Sequence, residues 1–92
     1  IPFGINNYNG DRNMTQKRLS KALVYYNEEY FIPIRFSYDG IKIFIKTITS
    51  NWIESAGRER IHHFSVLTNL GAYSLEFHET LKKWYCRPLE NC

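Results

Sequence analysis

Cysteine is scarce in this chain: Cys86 and Cys92 are the only two, and both stand at the C-terminal end. Two thiols with only these neighbours are poor metal ligands, so a structural zinc site is excluded, and a small disulfide loop in an oxidising compartment is the remaining reading. No stretch approaches the run of roughly 20 apolar residues that crosses a bilayer, which excludes a spanning helix and leaves a soluble chain with no membrane contact. No signal sequence is present, and no initiator Met either. The chain opens Ile1-Pro2-Phe3, as expected of a processed or trimmed form, and a removed secretory signal is compatible with both. Linker composition and internal repeats are also lacking, and nothing in the sequence calls for a cofactor.

What is present fits one compact domain over residues 1–92. Hydrophobic residues make 43% and charged residues 23% of the 92 positions, within the range of ordinary folded proteins. A chain of this size hides only about 60–65% of its surface on folding, so its margin of stability is slim unless the core is supplemented. Seven Tyr, six Phe and two Trp supply large apolar areas for that purpose. The net charge of +3 comes from basic residues dispersed between Arg12 and Arg87 instead of gathered in a binding arm, which reads first as a solvated surface.

Along the chain, residues 1–12 read as irregular or as a short hairpin, being rich in Gly and Asn. Asn13 followed by Gln16 resembles a capping box, and Leu19, Ala22, Leu23, Tyr26 and Tyr30 then recur at helical spacing with Lys17, Ser20, Lys21 and Glu28 on the opposite face. That pattern predicts one helix, with Leu19, Leu23 and Tyr26 buried. After it the period changes to two. Phe31 to Tyr38 is expected as a strand with Ile32, Ile34, Phe36 and Tyr38 on one face. Asp39-Gly40 then supplies a two-residue turn, and Ile41, Ile43 and Ile45 continue that face. A polar loop from Thr49 to Arg60 is expected next, in which Trp52 is either a partner anchor or, the favoured reading, a lid on the core. Strands follow at Ile61 to Thr68, Tyr73 to His78 and Trp84 to Arg87. The fold class expected is α+β: one helix packed on a curved antiparallel β-sheet whose other face stays open for binding.

Three histidines are candidates for chemistry. His62 and His63 are neighbours on a strand and must point to opposite faces. Glu76 and His78 share a face, and a histidine from the neighbouring strand would complete an acid–base group of the kind transphosphorylation needs. The plainer reading makes Glu76 and His78 the solvated half of a strand whose core half is Tyr73, Leu75 and Phe77. Gly57-Arg58-Glu59-Arg60 carries two guanidinium groups but lacks the glycine spacing of a phosphate-cradling loop. Exposed cations at Lys42, Lys46, Arg58 and Arg60 around the open face are the candidate partner-binding residues.

A wider pattern joins these pieces. Tyr8-Asn9-Gly10, Ile32-Pro33-Ile34-Arg35-Phe36, Asn51-Trp52, Gly57, Val66-Leu67-Thr68-Asn69, Gly71, Leu75 and Cys86 stand in an order that resembles the ribonuclease-like secreted effectors of powdery mildew fungi. Those are related in fold to the small guanyl-specific fungal ribonucleases. The match spans nearly the whole chain, and each motif is short, so its weight lies in order and spacing.

The resemblance implies a microbial-ribonuclease fold. It also implies a monomer that is secreted and then delivered into the host cell cytoplasm, where it binds host plant proteins and is open to recognition by an NLR immune receptor. Gly10 stands where the family has its first cysteine, which leaves Cys92 as the expected disulfide partner of Cys86. The positions of the fold's catalytic His and Glu land on Ile34 and near Ile43, and its Arg on Ser65, none of which moves a proton. Histidine is absent before His62, and no Asp or Glu lies between Asp39 and Glu54, so a small slip in the alignment leaves this unchanged. The expectation is therefore a pseudo-ribonuclease that binds without cutting, with no catalytic residues. RNA binding without cleavage is one alternative, and an active ribonuclease using His62 or His63 with Glu76 and His78 is another.

Overall fold

The computed structural model describes residues 17–89. Every regular element among them is a strand: β1 (Arg18–Ser20), β2 (Ala22–Tyr26), β3 (Phe31–Tyr38), β4 (Ile41–Ala56), β5 (Glu59–Thr68), β6 (Gly71–His78) and β7 (Lys83–Pro88). They form one antiparallel sheet in the order β1-β7-β6-β5-β4-β3-β2. The two outermost strands are consecutive in the chain, separated only by Lys21, so a single run pairs first with β7 and then with β3. Around Lys21 the two edges are tied. The Ser37 N–H donates to the Lys21 carbonyl at 2.9 Å, the Lys21 N–H donates to the Ser37 hydroxyl at 3.1 Å, and the Ser20 hydroxyl donates to the Ser37 carbonyl at 2.6 Å. The sheet curls into a half-barrel.

This overturns the expected α+β, ribonuclease-like architecture of one helix on a sheet, because the segment read as the helix is β1 and β2. Its helical-period residues face outward instead of into a core: Leu19 is 64%, Leu23 49% and Tyr26 77% exposed. Two local preferences account for the difference. Val24, Tyr25 and Tyr26 are β-branched or aromatic and suit a pleated surface. Asn27 then turns the chain by accepting the N–H groups of Glu29 and Tyr30 on its side-chain oxygen at 2.8 and 2.7 Å, a local bond that competes with helix. The capping pair Asn13 and Gln16, the N-terminal segment and Cys92 lie outside the described residues.

The concave side of the sheet holds the core of Phe36, Ile43, Phe64, Val66, Tyr73, Leu75, Trp84 and Cys86. Phe31 stacks on Trp84 with ring centroids 5.8 Å apart and also meets Phe64 and Phe77. A bulge at Ile34, where the β2 partner jumps from Arg35 to Pro33, reverses the alternation along β3. Phe36 and Tyr38 face the core as expected, while Pro33 is buried and Ile34 is exposed. The Asp39-Gly40 turn has positive φ at both residues, 52° and 77°, as a two-residue hairpin of matching twist requires.

The polar segment expected as a loop continues β4 to Ala56 and pairs residue for residue with β5 from Asn51↔Phe64 to Ala56↔Glu59. Bulges at Lys46 and Thr49, which the β5 ladder skips, bend β4 away from β3, whose pairing with β4 ends at Phe44. Beyond them the β4–β5 hairpin runs on to the Gly57 turn.

Candidate functional site

The polar side chains of β4, β5 and β6 meet on the convex side. Counting outward from the ladder, Trp52 and Glu54 on β4, His63 on β5, and Glu76 and His78 on β6 share this face. Trp52 lies opposite His63, and His63 lies opposite Glu76. The Trp52 and His63 rings stack with centroids 4.8 Å apart and 7° between planes. Trp52 is therefore half exposed on the outer face instead of serving as the expected lid on the core. His63 Nε2 lies 2.7 Å from Glu54 Oε1, and His78 Nε2 lies 3.0 Å from Glu76 Oε1. Tyr85 of β7 meets the His78 ring edge to face at 4.9 Å.

Glu76 is 9% exposed, which corrects its expected place on a solvated half-strand. Burial pushes its carboxyl up, but the hydrogen bonds from His78 and Lys17, with the charges of Lys17 and His63, outweigh that and hold it below the ordinary carboxylate value. Lys17 Nζ is 3.3 Å from Glu76 Oε1. Glu59 brings a third carboxylate: its Oε2, buried without a hydrogen-bond partner, lies 3.7 Å from His78 Nδ1. His62 points to the other face, as neighbouring strand positions must. It sits against Phe31 and Phe77 and bonds Glu79 at 2.5 Å. That bond, with the nearby charges of Arg60, His62 and Lys82, lowers the Glu79 carboxyl against a smaller opposing effect of burial.

All three histidines are thus bound to glutamates of their own chain. The His63, Glu76 and His78 group expected for acid–base chemistry does assemble, and Glu54 and Glu59 join it. Those two were missed because their segment read as a loop. That segment carries no apolar alternation, so no local signal placed them on strands. Four carboxylates, Glu54, Glu59, Glu76 and Glu79, crowd this end of the sheet, whereas a phosphodiester is itself an anion.

The partner-binding candidates do not form one surface. Lys42 sits beside Ser37 near the tied edges, Lys46 is at a bulge, Arg58 is in the β4–β5 turn, and Arg60 lies 3.9 Å from Glu79. Roughly 45 Å of strand separates Lys42 from the hairpin tip at about 3.3 Å per residue. The positions matched to the ribonuclease machinery do not converge either. Ile43 is in the core, Ile34 is exposed at its bulge, and Ser65 lies opposite Ser74. Among the described residues Cys86 is a buried free thiol that burial pushes up to a pKa of about 11, and its expected partner Cys92 lies outside them.

Fold and site together define a curled, all-β antiparallel domain that carries a histidine–glutamate face on β4, β5 and β6. Comparison with protein-family models, with curated proteins and with solved structures finds no match.

Proposed function

We propose that the chain is a non-catalytic binding protein: a secreted effector that enters a plant cell, engages a host component and is open to recognition by an NLR immune receptor. Delivery and recognition rest on the motif order shared with the powdery mildew effectors. The observation that carries the non-catalytic reading is that His62, His63 and His78 are each held by a glutamate. A phosphodiester approaching them would meet three carboxylates on one face, and the cations beside them, Lys17 and Arg60, are already paired. The contact surface on this reading is the far part of the β4–β5 hairpin, where Trp52 and Ile53 are half exposed on opposite faces and Arg58 stands at the tip. A large aromatic and an Arg are the residue types that anchor interfaces.

The test is receptor-triggered cell death in leaf tissue. Arg58→Glu together with Trp52→Ala should weaken it with melting temperature changed by only a few degrees. Full recognition of that variant would refute the assignment of the surface.

One observation favours a second reading, RNA cleavage: His63, Glu76 and His78 do share a face. Incubation with single-stranded RNA decides between the two. Intact RNA is expected, and cleavage that disappears in His78→Ala would establish the second reading over the first.

A further inference from the structure

A second group of cations surrounds the joint at Lys21, with Lys82 and Lys83 in and after the β6–β7 turn beside His78 and Glu79. Two adjoining cavities, of about 270 and 680 Å³, share Lys21, Ala22 and Ser37 in their walls. Arg35 and Lys42 line the smaller, Lys82 and Lys83 line the larger, and no Asp or Glu lines either. Among the described residues none of these five cations forms an ion pair, in contrast to Lys17, Arg18 and Arg60. The Ser37 hydroxyl accepts from the Lys21 N–H, and its own O–H is free to donate among the described residues. Positive groups lining two adjoining cavities repel each other, and an anion seated there relieves that repulsion.

We infer that this double cavity is a binding site for a compact ligand carrying two or more phosphate groups. A compact anion fits better than a nucleic-acid strand because the aromatic rings at the site offer no platform for a base. Phe36 and Trp84 are buried in the core, and the Arg35 guanidinium covers the exposed Phe44 ring at 5.7 Å. Single-strand binding relies on such platforms. Neither Trp52, Ile53 nor Arg58 lines either cavity, so failure of this site leaves the proposed function standing, and the reverse holds too.

Inorganic pyrophosphate is the first probe, titrated calorimetrically at low salt. Saturable binding is expected, weakened at least about tenfold by Lys21→Gln and removed by Lys21→Gln with Arg35→Gln. Lys21 ties the sheet edges through its backbone, so these variants should keep the native melting temperature without ligand. Glu28→Gln, away from both cavities, should bind as the native chain does. Vesicles containing a phosphorylated inositol lipid and the soluble inositol phosphate headgroup form the next arms. Binding of the headgroup with equal or tighter binding of vesicles assigns a lipid source, and binding of the headgroup alone assigns a soluble one. Absence of saturable pyrophosphate binding, or binding unchanged in the double variant, overturns the proposal. So does a single-stranded RNA that binds more tightly than pyrophosphate and is lost in the same variant.

Discussion

Replacing Leu23 and Leu75 separately tests whether the segment before Phe31 is strand or helix. Leu75 is 0% exposed, paired across the sheet with Phe64 on one side and Cys86 on the other. Truncating such a residue to Ala loses its transfer energy and leaves a cavity that strands on both sides cannot collapse, at a cost of about 2–5 kcal/mol. In a domain of this size each kcal/mol lowers the melting temperature by roughly 4–8 °C, so Leu75→Ala should lower it by about 10 °C or more. Leu23 is half exposed on β2, opposite Arg35. Leu23→Thr trades one strand-compatible side chain for another at a wet position and should fall within about 0.5 kcal/mol, a shift of a few degrees at most. A helix docked on the sheet through Leu19, Leu23 and Tyr26 makes the opposite forecast for Leu23. Thermal melts followed by circular dichroism compare the two variants directly. If Leu23→Thr destabilises as strongly as Leu75→Ala, or if the native spectrum shows helix, the strand assignment of β2 is wrong.

Three further outcomes follow from the same contacts. The Glu76 carboxyl is depressed in the folded state, so its contribution to stability is full above the unfolded value near 4.5 and is lost as pH falls through the lower folded value. Glu76→Gln should flatten that part of the acid limb in denaturation curves, and an unchanged limb would show that the His78 and Lys17 contacts carry no weight. The Cys86 thiol, buried and with its pKa raised to about 11, should label slowly with a maleimide at pH 8 and quickly once the chain is unfolded; rapid native labelling would contradict its burial. Gly57 turns the β4–β5 hairpin at φ 64° with open space where a Cβ would stand, so Gly57→Val should cost about 1–2 kcal/mol through backbone strain alone, read from chemical denaturation.

Much of the sheet is readable from residue order because its signals are local. Asp39-Gly40 names its own turn, and Tyr73, Leu75 and Phe77 alternate cleanly into the core. His62 and His63 separate to opposite faces by strand geometry alone. Leu19, Ala22, Leu23 and Tyr26 fit a helical period by spacing, although they stand on strands. What decides the segment is long-range: β1 finds its partner in β7, and β2 returns on β3 through the Asn27 turn. The outer half of β4 was hidden by its polar composition. A strand with both faces in water needs no apolar alternation, so Ser50 to Ala56 carried the marks of a loop. Bulges at Ile34, Lys46 and Thr49 shift which side chains face inward without leaving a signature in residue type, so the placement of Ile34 on the core face could not be corrected from the sequence. The candidate site was legible in its β5 and β6 members and hidden in its β4 members for that same reason.

The joint at Lys21 has a mechanical meaning. Among the described residues three pairs, Arg18↔Cys86, Leu19↔Tyr85 and Ser20↔Trp84, fasten β1 to β7, whereas neighbouring strands elsewhere are joined through short turns. The fastening is a latch between residues far apart in the chain, and closing it is entropically the costliest pairing in the sheet. With so few bonds holding it, this pairing should be the first to part when the native state opens briefly. Such a parting would uncover Trp84 and Cys86 from the side of Ser20 while the β4–β5–β6 ladder stayed zipped. The wall of the larger cavity shares Leu19, Ser20 and Trp84 with this latch, so an anion bridging Lys21 to Lys83 would act as a clasp on it.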